Sequence, residues 1–322
     1  MPIRYTLQRV LESIPTIFIV LILVFMLMLF IPGDPVLFML GLVGTDNVDA
    51  VNPEVYAIMR DRLGLDDPVL VRFFRWFWAV LQGDLGTSIR FGVPVADIII
   101  GRLPATLYLG MASIVIGLII AIPLGVLAAI NEGKWIDHVA NGFVLFGLVT
   151  PSFVVALFAV LIFAVYIGGL PSIGYIPPQE DFWQFLKHII LPASVMGIDL
   201  GASTLRYLRT DFLEQMKQDY VRTARAKGIP ERVVFGKHVL KNSLISFVTV
   251  LGFDIQRLLG GSTIIETMFA YPGISYLMFQ SILSRDFAIV QGVVLFIAII
   301  VIAVNLLVDF IYSVLDPRVR YA

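Results

Sequence analysis

The chain is 322 residues long, 58% hydrophobic and only 15% charged, with a mean hydropathy of +0.90. An ordinary soluble domain carries about 25% charged residues, so this composition points to a polytopic membrane protein. A net charge of −1 excludes the global basic field of a nucleic-acid-binding protein, and the lack of cysteine excludes disulfide and thiolate chemistry.

In chain order, Ile14–Ile31 is a nearly unbroken apolar run preceded by Arg4 and Arg9. It exceeds the apolar region of a signal peptide and no small-x-small cleavage site follows, so it reads as a retained first span. Residues 32–103 follow as a long extramembrane loop. Pro32-Gly33-Asp34-Pro35 cannot continue a helix, because both prolines lack an N–H and force extended neighbours. Glu54–Leu63 reads as a short helix. Val69–Leu81, rich in Trp and Phe with Arg72 and Arg75, suits a helix at headgroup depth. Gly83-Asp84-Leu85-Gly86-Thr87-Ser88 makes a tight turn; without a preceding buried strand or a Lys it is a poor phosphate cradle.

Further spans are expected at Ala105–Ile130, Val139–Ile167, Ile189–Leu205, Ser243–Ile265 and Ala288–Leu315, making six. Pro123, Gly125, Gly142, Gly147, Pro151, Pro192, Gly197 and Gly201 within them allow kinks and close packing. Between the fourth and fifth, Arg206–Asn242 holds nine Lys or Arg (Arg206, Arg209, Lys217, Arg222, Arg225, Lys227, Arg232, Lys237, Lys241) against four acids. Leu213, Met216, Tyr220 and Ala224 recur at helical spacing and predict one narrow apolar stripe. Gly228 can end that helix, and Pro230 with Glu231 suits the start of another. The result is a helix–turn–helix with small residues (Ala224, Ala226, Gly228) at its bend. Such a segment serves either as a docking site for another protein's backbone or as a basic linker on anionic lipid.

Charge sets the orientation. With the N-terminus inside, Arg4, Arg9, Lys134, the nine residues above, Arg318 and Arg320 are cytoplasmic, while the short outer loops hold only Lys187 and Arg285. Both termini come out cytoplasmic. In the fifth span, Asp254, Gln256 and Arg257 lie near mid-depth, where each charge costs about 2.5–3.5 kcal/mol on insertion scales. Asp254 and Arg257 are three apart and can pair. They either lock this helix to a neighbour or line a polar path, and Gly260-Gly261 just beyond permits a neighbouring helix to approach.

Several chemistries are missing. Gly133-Lys134 is followed by Trp135 and Gly236-Lys237 by His238, so there is no P-loop. No His-Glu-x-x-His or Gly-x-Ser-x-Gly occurs. His138, His188 and His238 sit at span edges and read as interfacial rather than as metal ligands.

The run Tyr220-Val-Arg-Thr-Ala-Arg-Ala-Lys-Gly228 resembles the EAA loop of permease subunits of ATP-binding-cassette (ABC) importers, in particular the branch that imports dipeptides, oligopeptides and nickel. Aligned on Gly228, the general pattern is kept at Ala224 and Gly228 and later at Leu240; Arg222 and Thr223 depart from it. Pro32-Gly33-Asp34-Pro35, the Gly83–Ser88 turn, Pro272-Gly273 and Asp316-Pro317-Arg318 resemble the same branch. The resemblance implies an all-α, six-span type I importer permease fold, one transmembrane domain over residues 1–322. It further implies a second related permease, two cytoplasmic ATPases that bind the ATP, an external substrate-binding protein, and a bacterial or archaeal plasma membrane. No cofactor of its own is implied. Leu213, Met216, Tyr220, Ala224, Ala226 and Gly228 would then form the coupling helix seated in an ATPase groove, and Asp254, Gln256 and Arg257 would line the path. In that branch the positions of Asp254 and Arg257 are usually uncharged. A di- or oligopeptide is the expected substrate, with nickel and oligosaccharides open. The rival is an ion-coupled secondary transporter with Asp254–Arg257 as its coupling pair; it calls for an internal inverted repeat, which the sequence does not display.

Overall fold

The structure, a computed structural model, describes residues 2–30, 36–37, 52–62 and 64–315. The motifs Pro32–Pro35 and Asp316–Arg318, and the charge on Arg320, lie outside the described residues. Helices dominate: α1 (Pro2–Phe30), α2 (Pro53–Arg62), α3 (Val69–Leu81), α4 (Val95–Ile130), α5 (Trp135–Val149), α6 (Ser152–Ala159, continued by a π-helical stretch Val160–Tyr166), α7 (Phe182–Met216), α8 (Asp219–Ala226), α9 (Leu240–Gly261), α10 (Thr263–Met268), α11 (Ile274–Leu283) and α12 (Phe287–Leu315). A single turn, Glu231–Val233, and a π-helical stretch, Val234–Val239, lead into α9.

Among the described residues, Val95–Ile130, Phe182–Met216 and Phe287–Val308 are long and apolar enough to cross a membrane. The expected third span, Val139–Ile167, is not one straight helix. Its halves, Trp135–Val149 and Ser152–Tyr166, meet at 104° and together make a fourth candidate. Pro151 is the cause: it holds Thr150 extended (φ −78°, ψ 121°), so the i to i−4 ladder stops there. The apolar part of α1, Leu11–Met26, is shorter. The 22-residue α9 carries Lys241, Asp254, Gln256 and Arg257, which interrupt its apolar surface.

The chain divides into two compact units. The larger comprises Met1–Arg9, Leu103–Tyr276 and Val301–Ala322. Its axis is α7, where Ala193, Leu200, Ala202, Leu205, Leu208 and Phe212 are almost fully buried. Gly197 and Gly201 explain how closely α4 lies: a Cβ on Gly197 would meet the Ser113 carbonyl at 3.0 Å, and one on Gly201 the Gly117 carbonyl at 3.2 Å. Methyl groups there would push the helices apart. Where α5 packs on α7, Arg209 grips the buried Asp137 through Nε and Nη2 at 2.6 and 2.8 Å. Asp137 also accepts from the Gly133 N–H and the Asn141 amide, both at 2.9 Å.

The second unit comprises Val10–Arg102 and Leu277–Ile300. Here α3 turns Phe73 and Phe77 onto Phe18 and Phe25 of α1, with ring centroids 5.3–6.3 Å apart. The Gly83–Ser88 turn is closed by the protein's own carboxylates. Asp84 accepts from the Gly86 N–H at 2.8 Å, and Asp286 accepts from the Ser88 hydroxyl at 2.5 Å and the Arg90 N–H at 3.1 Å.

Candidate functional site

Two groups of residues stand out in the larger unit. The first is the segment after α7. The continuous helix expected through Leu213–Gly228 is interrupted: α7 stops at Met216, Gln218 is extended (φ −72°, ψ 152°), and α8 starts afresh at Asp219. Leu213 and Ala224 are buried, and Met216 and Tyr220 are half-buried, around a core that includes Ala129, Phe212, Val221, Val234 and Val239. The apolar stripe therefore holds α8 against the end of α7, with Leu213, Met216, Tyr220 and Ala224 packed within the chain. Arg222, Thr223, Ala226, Lys227 and Gly228 remain exposed. Gly228 turns the chain with φ +74°, a left-handed conformation that glycine adopts without strain, and open space lies where a Cβ would be. Arg225 then forks onto Glu231 at 2.8 and 3.2 Å, bracing the bend from Ala226 to Pro230.

The second group is the charged site on α9. Asp254 is buried and accepts hydrogen bonds from the hydroxyls of Ser203 (2.9 Å) and Thr204 (3.1 Å), both on α7. The expected Asp254–Arg257 pair forms at 3.4 Å. The nearer partner of Arg257 is Asp199 of α7, at 3.0 Å, which sequence reasoning missed. The signal was available, since Asp199 falls within the fourth expected span and the rule applied to Asp254 applies to it equally. Gln256, adjacent on α9, donates to Asn305 of α12 at 2.8 Å. The side chain of Arg257 is 50% exposed and that of Asp199 36%, whereas Asp254 is 9%.

With this geometry in view, comparison with known proteins is informative. Residues 121–321 match the family described as the binding-protein-dependent transport system inner membrane component, and residues 2–110 match its N-terminal counterpart. The chain belongs to this permease family. It is 40% identical over 315 residues, 98% of each chain, to a protein described as a peptide transport system permease from Brucella abortus (strain 2308). It is 36% identical over 319 residues, 99% of each chain, to the glutathione transport system permease protein GsiC of Salmonella paratyphi A. Among solved structures, the methionine ABC transporter MetNI in an inward-facing conformation aligns with 68% of this chain and 96% of its own, at a TM-score of 0.55 and 18% identity. An amino acid ABC transporter aligns with 67% of this chain and 94% of its own, at a TM-score of 0.51 and 16% identity. These two likenesses show the fold: the permease has the helical type I importer architecture.

A further buried carboxylate in the permease escaped sequence reasoning because it sits at the edge of the fifth expected span. Glu266 is fully buried and accepts from the Ser262 hydroxyl at 2.8 Å and the Tyr276 N–H at 2.7 Å. A Cβ on Gly273 would run into that carboxylate, which explains the glycine of the Pro272-Gly273 motif. Tyr271 donates its hydroxyl to the Ala105 carbonyl at 3.1 Å, and the Ile274 N–H reaches Thr106 at 2.8 Å. The loop between α10 and α11 is thus fastened to the start of the apolar part of α4.

Proposed function

We propose that this permease forms half of the translocation path of an ATP-driven peptide importer. It works with a second related permease, two cytoplasmic ATP-binding subunits and an external substrate-binding protein. The assembly sits in a bacterial or archaeal plasma membrane with both ends of this chain in the cytoplasm. The observation that carries the reading is identity of 36–40% along nearly the whole chain to permeases named for peptide and glutathione transport, glutathione being itself a tripeptide. The sequence has no P-loop, so ATP is bound by the partner subunits and the chain is a transport subunit without its own ATPase site or cofactor.

The mechanism follows from which surfaces are free and which are packed. Ala226, Lys227 and Gly228, with Arg222 and Thr223, present a small-residue bend that an ATPase can approach. Leu213, Met216, Tyr220 and Ala224 lie behind it as a packed core. A push on the bend therefore moves α7 as a body. Leu213 and Asp199 are on that same helix, about 21 Å apart at 1.5 Å per residue, so motion passed through the packed core to Leu213 reaches the Asp199–Arg257–Asp254 group along one continuous helix. Asp254, Gln256 and Arg257 line the path.

The test is purification of the tagged permease from its native membrane, followed by reconstitution with its binding protein. Two ATPases and a second permease are expected to copurify, and uptake of a labelled di- or tripeptide is expected to require ATP. A permease that purifies without ATPases and takes up substrate on an ion gradient would overturn the reading in favour of a secondary transporter.

A further inference from the structure

We propose that Asp199 determines the charge preference of the path: its carboxylate, open beside Arg257, receives the ammonium group of a passing substrate, so that peptides carrying an extra positive charge are favoured over those carrying an extra negative one. The inference rests on the peptide-importer reading above.

The argument begins with the charges. The cluster holds one guanidinium, Arg257, between two carboxylates, Asp199 at 3.0 Å and Asp254 at 3.4 Å. Asp254 is buried, and the hydroxyls of Ser203 and Thr204 satisfy it from α7. With both carboxylates ionised, Arg257 neutralises only one of them and the group carries one uncompensated negative charge. The open side of the group belongs to Asp199 and Arg257, whose side chains are 36% and 50% exposed. Arg257 already lies along one side of Asp199, and the remaining lone pairs of that carboxylate are where a second cation fits.

The open side must face water or protein, because ionisable groups in membrane spans turn away from lipid. The neighbouring groups favour water. Gln256, next to Arg257 on α9, is hydrogen-bonded to the exposed Asn305 on α12. Polar side chains from three helices, α7, α9 and α12, are therefore gathered at one place on the unit. A wetted passage accounts for Asp199, Arg257, Gln256 and Asn305 together, whereas a helix-locking Asp254–Arg257 pair accounts for only Arg257 among them. A carboxylate bearing an uncompensated charge at reduced dielectric attracts an ammonium group and repels a second carboxylate.

The experiment uses the complete importer in proteoliposomes. Uptake of alanyl-lysyl-alanine is compared with that of alanyl-glutamyl-alanine, each normalised to its occupancy on the binding protein. The wild type is expected to move the lysyl peptide faster by about tenfold, the lower end of the scale for one hydrogen bond to a charged group. Asp199→Asn is expected to remove most of that preference, and Asp199→Glu to keep it. Equal slowing of both peptides by Asp199→Asn, or no lysyl preference in the wild type, overturns the proposal while leaving the importer reading intact. Failure of the wild-type complex to move any peptide sinks the importer reading itself. A measurement on the unaltered complex guards against a variant that does not assemble: modification of Asp199 by an apolar carbodiimide, followed by mass spectrometry. The lysyl peptide is expected to slow it and the glutamyl peptide not to; identical rates overturn the proposal.

Discussion

Gly228 holds φ at +74° with nothing within 4 Å of where its Cβ would lie, so the constraint within this chain is the backbone and not crowding. The two can be separated. Asn tolerates the left-handed region, whereas a β-branched residue is strained there by about 1–2 kcal/mol. Gly228→Val is therefore expected to lower the melting temperature of the purified permease, and Gly228→Asn to leave it nearly unchanged. If an ATPase packs on this bend, Gly228→Asn should nonetheless weaken coupling, seen as ATP hydrolysis that continues while transport falls. Normal transport by a well-folded Gly228→Asn variant would remove the bend from the docking face. Sequence showed this residue clearly, because a glycine between two helical patterns is a local signal. It showed Asp254 and Arg257 for the same reason, since three-residue spacing is geometry within one helix. Asp199 became their partner only through the register of α7 against α9, which no single-helix pattern records.

At the scale of elements, α5 and α7 are joined by the Asp137–Arg209 fork, whose carboxylate is 5% exposed and guanidinium 20%. Arg209 counted in the sequence as one of nine basic residues of a cytoplasmic loop; the structure places it in a buried pair with a partner 72 residues away. Removing one member of such a pair strands the other and costs about 3–5 kcal/mol, while replacing both by apolar groups is far milder. Asp137→Ala and Arg209→Met are each expected to reduce thermal stability in detergent, and the double variant to recover much of the loss. Strictly additive losses would show that the two side chains do not depend on each other. The same limit on local patterns explains the bent third span. Hydrophobicity runs unbroken across Thr150 and Pro151, so composition reads one span, while the backbone needs of a proline divide it at 104°. It also explains the stripe of Leu213, Met216, Tyr220 and Ala224. Periodicity told that these residues share an apolar face, but what that face packs on is decided by Phe212, Val234 and Val239 arriving from either side.

For the molecule as a whole, the decisive quantity is which side each connection occupies. The charge rule predicts the Lys134 loop and Arg206–Asn242 in the cytoplasm and the loops containing Lys187 and Arg285 outside. The bend at Pro151 puts that assignment at risk, since a bent helix pair either crosses the membrane or enters and leaves on one side. If it re-entered, Trp135 and Ile173 would face the same compartment, and every later segment would be inverted. The basic Arg206–Asn242 loop would then lie outside, against the charge rule, so crossing is expected. The chain has no cysteine, so one introduced cysteine reports one position. Thr87, Trp135 and Ile173 are all exposed. Thr87→Cys and Ile173→Cys are expected to react with an impermeant maleimide in intact cells, and Trp135→Cys only after the membrane is opened. Labelling of Trp135→Cys and Ile173→Cys from the same side would make α5 and α6 a re-entrant pair. The coupling bend at Gly228 would then face away from any cytoplasmic ATPase, and the proposed energy transfer along α7 would fail with it.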